Sequence, residues 1–310
     1  MSYSPIALFV YNREDHFIKT YKALSECQQA SESELFIFSD GAKDLKNKDA
    51  VEAVRKAADD IVNDGKFKSV TVIKSPENKG LARSIIEGVT ELLNKFGTII
   101  VLEDDCVASP YLLTYMNKCL KFFNDDKTVG SVAGYTPPIN IDEYQNDIFL
   151  AKRSCSWGWA TWRDRWDNVD WEMKFMKSFY DDYSLVKDLN SNGNDRFMRL
   201  YRQSKKNTQS WSIRFGAHHV INNYSVVYPK YSYIRNVGCD ATGVHSKAED
   251  AELIKVNLDK AIEEPEIGKV NFDKKIQKKL YRFYSGNFIS RTRRSFATKL
   301  IVTKESLTNK

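Results

Sequence analysis

The chain has no apolar run near the ~18 uninterrupted residues that a membrane-spanning helix needs, so no span is expected. Cysteine is scarce. Cys27, Cys106, Cys119, Cys155 and Cys239 are scattered, odd in number and free of CxxC spacing, which argues against a zinc site and for reduced thiols in a cytoplasmic setting. The opening MSYSPIALFVYNRED has neither a basic leader nor a small-residue cleavage site, so a secretory signal is not expected. No GxGxxG follows the first apolar run and no GxxxxGK(S/T) occurs, which leaves dinucleotide and P-loop sites unsupported. Tyr11-Asn12-Arg13-Glu14 stands where a sugar-nucleotide-forming nucleotidyltransferase carries a Gly-rich loop, and where a phosphatase with a nucleophilic Asp carries Asp-x-Asp. There is no internal repeat.

What is present describes an ordinary globular protein. Of 310 residues, 42% are hydrophobic and 28% charged, enough for one large α/β domain or two modest ones. The net charge of +6 is unevenly spread: Lys269 to Lys310 holds twelve Lys and Arg against Asp273 and Glu305, so residues 1–268 are net −4. A basic tail on a mildly acidic body points to an anionic partner for the tail alone. The tail has no recognisable nucleic-acid module, so no nucleic acid is expected. Within it Ile276, Leu280 and Phe283 fall at helical spacing among Lys274, Lys275, Lys278, Lys279 and Arg282, and Arg291, Arg293 and Arg294 precede Phe296, Leu300, Ile301 and Val302. Two arrangements satisfy that pattern. The tail lies on an anionic membrane surface, peripheral on the inner face of the plasma membrane, or it packs on the body with its basic face solvated.

The first third alternates apolar runs and amphipathic stretches. Strands are expected at Ile6–Tyr11, Glu34–Ser39, Ser69–Lys74 and Thr98–Leu102, with helices near His16–Cys27, over Asn47–Asp64, and through Leu81, Ile85, Ile86, Val89, Leu92 and Leu93. That order implies parallel strands joined by right-handed crossovers, hence a doubly wound α/β sheet. After Ser109-Pro110 come a helix, Tyr111–Phe123, and a strand, Val129–Ala133. Beyond about residue 150 the alternation gives way to short elements, with Trp157, Trp159, Trp162, Trp166 and Trp171 crowded together. The expected organisation is a donor-binding half, 1–135, an acceptor-binding half, 136–268, and a basic C-terminal tail, 269–310.

The sharpest feature is GTIIVLEDDCV, a buried-type strand that runs into Glu103, Asp104 and Asp105. Three adjacent carboxylates leaving a core repel one another and invite a cation. Oxygen-only ligands suit Mg2+ or Mn2+, and open α/β sheets bind ligands outside the carboxyl ends of their strands. Gly158, between Trp157 and Trp159, allows close backbone approach to a ligand, while the two indoles are expected in the core and one Trp of the group against substrate. Arg163-Asp164-Arg165 reads either as a holder of an anionic acceptor group or as surface ion pairs. His218 and His219 read as structural and His16 as a helix-start residue.

A glycine-free first turn, then FSDGAK, SPENKGLARSI and IIVLEDD, resembles the GT-A class of nucleotide-sugar glycosyltransferases. The EDD form is most similar to N-acetylglucosaminyltransferase I and a related bacterial surface-polysaccharide group. SCSWGWATWRDRW, NGNDRFMRLYRQ, SWSIRF and NVGCDATGVHS resemble that group too, so the similarity spans roughly residues 4–246. It implies a GT-A fold with a Rossmann-like, mostly parallel sheet, an irregular acceptor-binding second half and a basic helical tail. It implies metal-dependent, inverting transfer from a nucleotide-sugar, a UDP-sugar, to a glycan or lipid-linked glycan acceptor in surface polysaccharide synthesis. By position, Asp105 would bind Mn2+ or Mg2+, Asp104 would face the ribose and Glu103 would support the site. Asp40 would contact the base edge, Tyr11 and Arg13 would line the nucleotide, and Lys79 and Arg83 would lie near ribose or phosphate. His245, in a late loop, would reach metal or diphosphate. The acceptor's proton needs a carboxylate; Asp195 in NGNDRF is the first candidate and Asp240 the second, each also readable as a turn or N-cap residue. A sugar nucleotidyltransferase, a sugar-nucleotide hydrolase and a non-catalytic glycan-binding protein remain as alternatives.

Overall fold

The computed structural model describes residues 3–206, 208–238 and 255–308. Strands β1 (Ile6–Val10), β2 (Glu34–Ser39), β3 (Ser69–Lys74) and β4 (Thr98–Glu103) are joined by helices α1 (Glu14–Ser25), α2 (Leu45–Asp60) and α3 (Leu81–Phe96). The four strands pair in parallel in the order β3-β2-β1-β4. Strand alternation sends Ile6, Leu8 and Val10 into one apolar layer and Ala7 and Phe9 into the other. Phe17 and Leu24 of α1 and Val54 and Ala58 of α2 fill the first layer, while Ile85, Val89, Leu92 and Leu93 of α3 fill the second. Each Val, Leu, Ile or Phe among them, fully buried, is worth about 1.5–3 kcal/mol, so the doubly covered sheet contributes substantially to stability. Gly97, in the left-handed region at φ +81°, ends α3 and turns the chain straight into β4.

The sheet does not stop where the sequence turns irregular. After β5 (Cys106–Ala108), α4 (Leu112–Phe122), β6 (Val129–Ala133) and β7 (Ile148–Ala151), the four residues of β8 (Trp159–Trp162) enter beside β4 and run antiparallel to it. With β9 (Ser225–Pro229) the eight-stranded order is completed as β8-β6-β9-β7. A strand this short, with all four residues buried, has no alternation to betray it. Its tryptophans are core. Trp159 stacks between Trp166 and Trp211, Trp162 donates its indole N–H to the Leu120 carbonyl at 3.0 Å, and half-buried Trp157 packs edge-on against Tyr135.

Helix α5 (Arg163–Trp166) adds Trp166 to the layer of α3, while α6 (Met176–Asp181), α7 (Tyr183–Leu189), α8 (Arg196–Ser204) and α9 (Trp211–Ile221) build a third apolar cluster around Phe179, Phe197, Leu200 and Ile213. Arg165 is spent inside the fold. It is 1% exposed and donates to the carbonyls of Phe123, Asn124, Asp126 and Val129, closing the carboxyl end of α4. Arg163 pairs with Asp167 and Asp164 with Lys127, the surface arrangement. His219 is buried with its Nδ1 against the Phe215 carbonyl and Nε2 against Ser131 Oγ, and burial pushes its pKa down to about 3.

The tail forms α10 (Lys274–Ser285) and α11 (Phe288–Thr308). Ile276 and Leu280 are buried against Phe149, Val226 and Tyr228, so for these two residues the arrangement adopted is the second of the two, packing on the body. Polar stitches fix the helix there: Gln277 donates to the Leu150 carbonyl at 2.7 Å, and Asn194 N–H to Ser285 Oγ at 3.0 Å. No helix among the described residues is long and apolar enough to cross a membrane.

Candidate active site

The parallel strands place their carboxyl ends on one edge. Phe9 is level with Glu103 and Val10 with Ser39, so Tyr11, Asp40 and Asp104 follow in adjacent rows. The acidic turn after β4 is built from three directions. Thr20 of α1 donates its hydroxyl to the Asp104 carbonyl at 2.7 Å, and Val237 N–H donates to the Asp105 carbonyl at 2.9 Å. Strand β10 (Ile234–Asn236) pairs antiparallel with β5 and sets Asn236 opposite Cys106. Asn236 Nδ2 then donates to Asp105 Oδ1 at 2.8 Å, while Arg13 Nη2 donates to Asp105 Oδ2 at 2.9 Å and to Asp104. Gly238 closes over the pair: a Cβ there would lie 2.2 Å from Asp105 Oδ2.

The electrostatics are one-sided. Three carboxylates share one guanidinium within this cluster, with His16 adding a smaller favourable influence at Asp104. Arg13 is partly desolvated, but Asp104 and Asp105 outweigh that and hold it more firmly charged than a free arginine. The compensation is not mutual. Burial, only partly offset by Arg13, pushes the Asp104 carboxyl up to about 6, and burial with the charges of Asp105 and Asp104 pushes Glu103 well above the usual range. Among the described residues each Asp105 oxygen takes one strong donor, with the Cys106 thiol added at 3.7 Å from Oδ1, so acceptor capacity is left over there. The donor set, all carboxylate oxygen and short of positive charge, therefore fits a hard divalent cation. No group of three or more His, Cys, Asp or Glu side chains is arranged to hold a metal among the described residues; Arg13 stands amid the acids. His245 and Asp240 lie outside the described residues.

The remaining expected donor residues are spread along the same edge. Asp40 is buried, and its two oxygens take N–H groups from Gly41, Lys79 and Gly80 at 2.8–2.9 Å and the Asn78 amide at 3.2 Å. It clasps the end of β2 to the turn before α3. Arg55, which no sequence motif singled out, reinforces that clasp through the carbonyls of Asp40 and Ser75. Tyr11 accepts from the Lys43 N–H at 3.0 Å. Lys79 and Arg83 both pair with Glu87 rather than reaching the acidic turn.

Asp195 sits apart in a different setting, at the start of α8. Arg153 grips it with both ends of its fork, Nη1 to Oδ1 at 2.8 Å and Nη2 to Oδ2 at 3.1 Å, and the Tyr284 ring of α10 covers the guanidinium. Burial raises the Asp195 pKa, but Arg153 outweighs it and holds the carboxyl below the ordinary range. Both oxygens of the carboxylate expected as a base are thus engaged by Arg153. Arg196 beside it is buried, donates to Ser154, and is pushed down to about 9 by burial and by Arg153.

The model of the family "Glycosyl transferase family 2" matches residues 6–207, more than half of the chain. No curated protein matches it. Among solved structures, it is similar to the mannosyltransferase PcManGT from Pyrobaculum calidifontis in complex with GDP-Man and Mn2+, at 17% identity and TM-score 0.37, over 52% of this chain and 46% of that one. It is also similar to S. aureus TarS residues 1–349 in complex with UDP-GlcNAc, at 11% identity and TM-score 0.41, over 74% of this chain and 57% of that one. A further TarS structure matches at 11% identity and TM-score 0.42, with 74% of this chain and 36% of that one covered. The chain spans about half the length of these structures.

Proposed function

Because this chain belongs to glycosyl transferase family 2, we propose that it moves a sugar from a nucleotide-sugar, a UDP-sugar, to a glycan or lipid-linked glycan acceptor. The reaction is inverting, uses Mn2+ or Mg2+, and serves surface polysaccharide synthesis, with residues 1–135 holding the donor and 136–268 the acceptor. The observation that carries this reading is the acidic turn after β4, where carboxylates outnumber the available countercharge.

Asp105 is the residue to hold the ion, Asp104 faces the ribose, and Glu103 supports both. A cation bound there offsets the negative charge that grows on the departing diphosphate. Asn236 fixes the rotamer of Asp105, and Arg13 keeps Asp104 and Asp105 from repelling one another before donor arrives. Tyr11 and the Asp40 clasp shape the base end, and Lys79 and Arg83 border the ribose and phosphate side. In the acceptor half a carboxylate takes the proton of the attacking hydroxyl. The Arg153 fork disfavours Asp195 for this step, which leaves Asp240 as the remaining candidate.

The test is a thermal-shift screen of nucleotide sugars with and without Mn2+, followed by product analysis with and without acceptor. A ligand that binds only the folded state raises its apparent stability. Metal-dependent stabilisation followed by sugar transfer supports the reading. Pyrophosphate exchange would make the protein a nucleotidyltransferase and acceptor-independent release a hydrolase, while absence of metal-dependent nucleotide binding would revive the reading of a non-catalytic glycan-binding protein.

A further inference from the structure

The last helix carries an apolar face that the protein itself leaves uncovered. In α11, Ile289, Phe296, Leu300 and Leu307 are 76%, 65%, 56% and 67% exposed. At ~100° per residue these four lie within roughly 40° of one another around the axis. Thr298 and Val302, on the opposite side, are the residues the helix buries. The stripe is therefore unrelated to body packing, which the other face already provides.

Charge follows the same division. Exposed Arg293 and Lys304 flank one side of the stripe and exposed Lys299 the other. The sole acid of the helix, Glu305, is turned inward, where it takes Lys205 at 2.9 Å and the Tyr201 hydroxyl at 3.0 Å. The outward half of α11 thus presents apolar side chains and positive charge without a carboxylate. A groove of about 510 Å3 opens between α10 and α11, walled by Tyr281, Phe288 and Phe296, with Arg291 and Lys299 in its lining. The geometry points to the surface of an anionic bilayer as the occupant of this face. Apolar side chains enter the headgroup boundary, flanking cations pair with lipid phosphates, and the inward acid removes the repulsion an outward one would add. Docking is made by α11 with the groove beside it, not by the Ile276 and Leu280 stripe of α10, which is committed to the core.

Vesicle flotation of the full chain tests this without any enzymatic turnover, so it stands or falls separately from the reading of the acidic turn. The protein is expected to bind vesicles of phosphatidylcholine with phosphatidylglycerol, to bind pure phosphatidylcholine far less, and to be released by high salt. Phe296→Glu with Leu300→Glu should cut binding by about tenfold or more at unchanged melting temperature. Should that variant melt early, Arg293→Gln with Lys299→Gln and Lys304→Gln tests the same face, and its salt-sensitive binding should be lost. Equal binding by these variants, or a wild-type protein that ignores both vesicles, overturns the proposal. If the wild type ignores vesicles and is a dimer that Phe296→Glu with Leu300→Glu separates, the face joins two copies of the chain instead.

Discussion

The acidic turn after β4 and the cluster around Asp195 are made from the same chemical groups and reach opposite electrostatic states. At the turn, three carboxylates share Arg13, and burial still holds Asp104 at about 6. Around Asp195, one carboxylate is gripped by Arg153 with Arg199 at 3.9 Å and Arg196 nearby, and burial together with Arg153 pushes Arg196 down to about 9. The first cluster is short of a cation and the second is oversupplied. A site short of positive charge is unfinished until something positive arrives, which is how a metal- or substrate-dependent centre behaves. A carboxylate gripped at both oxygens by a buried fork is already satisfied and acts as a fastener. Residue type alone therefore says little about role; the local count of opposing charge decides it.

The largest effect expected from this contrast is at Asp105. Asp105→Ala should reduce transfer by about 10²–10³-fold or more and abolish Mn2+-dependent nucleotide binding. Its folding should change little, because the residue follows a strand rather than filling the core. Full activity in that variant, or in excess EDTA, would erase the difference between the clusters. Next is Asp195. Asp195→Asn should lower stability by about 1.5–3 kcal/mol, the scale of a charged hydrogen bond, with donor affinity intact. A severe drop in kcat at wild-type stability would instead make Asp195 the base.

Asn236 sharpens the comparison from the other side. Asn236→Ala removes one of the two strong side-chain donors to Asp105 and should weaken metal-dependent binding about tenfold, as loss of an outer partner does. No change in metal response would mean that Arg13 alone orients the carboxylate.

The two clusters also differ in how far the sequence betrays them. IIVLEDD was legible because the strand and its acids are contiguous, and the first four strands were legible because a regular alternation of runs has few foldings. Asn236 lies 131 positions from its partner, and only the β5–β10 register brings it there. Arg153 and Asp195 are separated by 42 positions, so the fork that changes the character of Asp195 leaves no local trace. Strand β8 escaped because four buried residues carry no period. The α10 stripe was visible as amphipathic, but helical spacing gives the same signal for a helix on a core and a helix on lipid. Burial of Ile276 and Leu280 separates the two cases.

The smallest expected effect is a pH dependence confined to the oversupplied cluster. Arg153 holds the Asp195 carboxyl below its ordinary range in the folded state, while the unfolded chain titrates it near ~3.9. Above that value both states are ionised, and the Arg153 pairing contributes fully to stability. As pH falls below it, the unfolded state binds protons first, so the contribution shrinks and is lost once pH passes through the folded value. Asp195→Asn has no such proton to bind. The stability gap between wild type and Asp195→Asn, measured by urea unfolding, should therefore be constant from neutral pH down to about 4 and narrow below it. A gap that instead widens as pH falls from neutrality would place the Asp195 pKa above its ordinary range, because the folded state would then bind the proton first. The carboxylate would then be starved of countercharge like its counterparts at the acidic turn, and the contrast between the two clusters would fail.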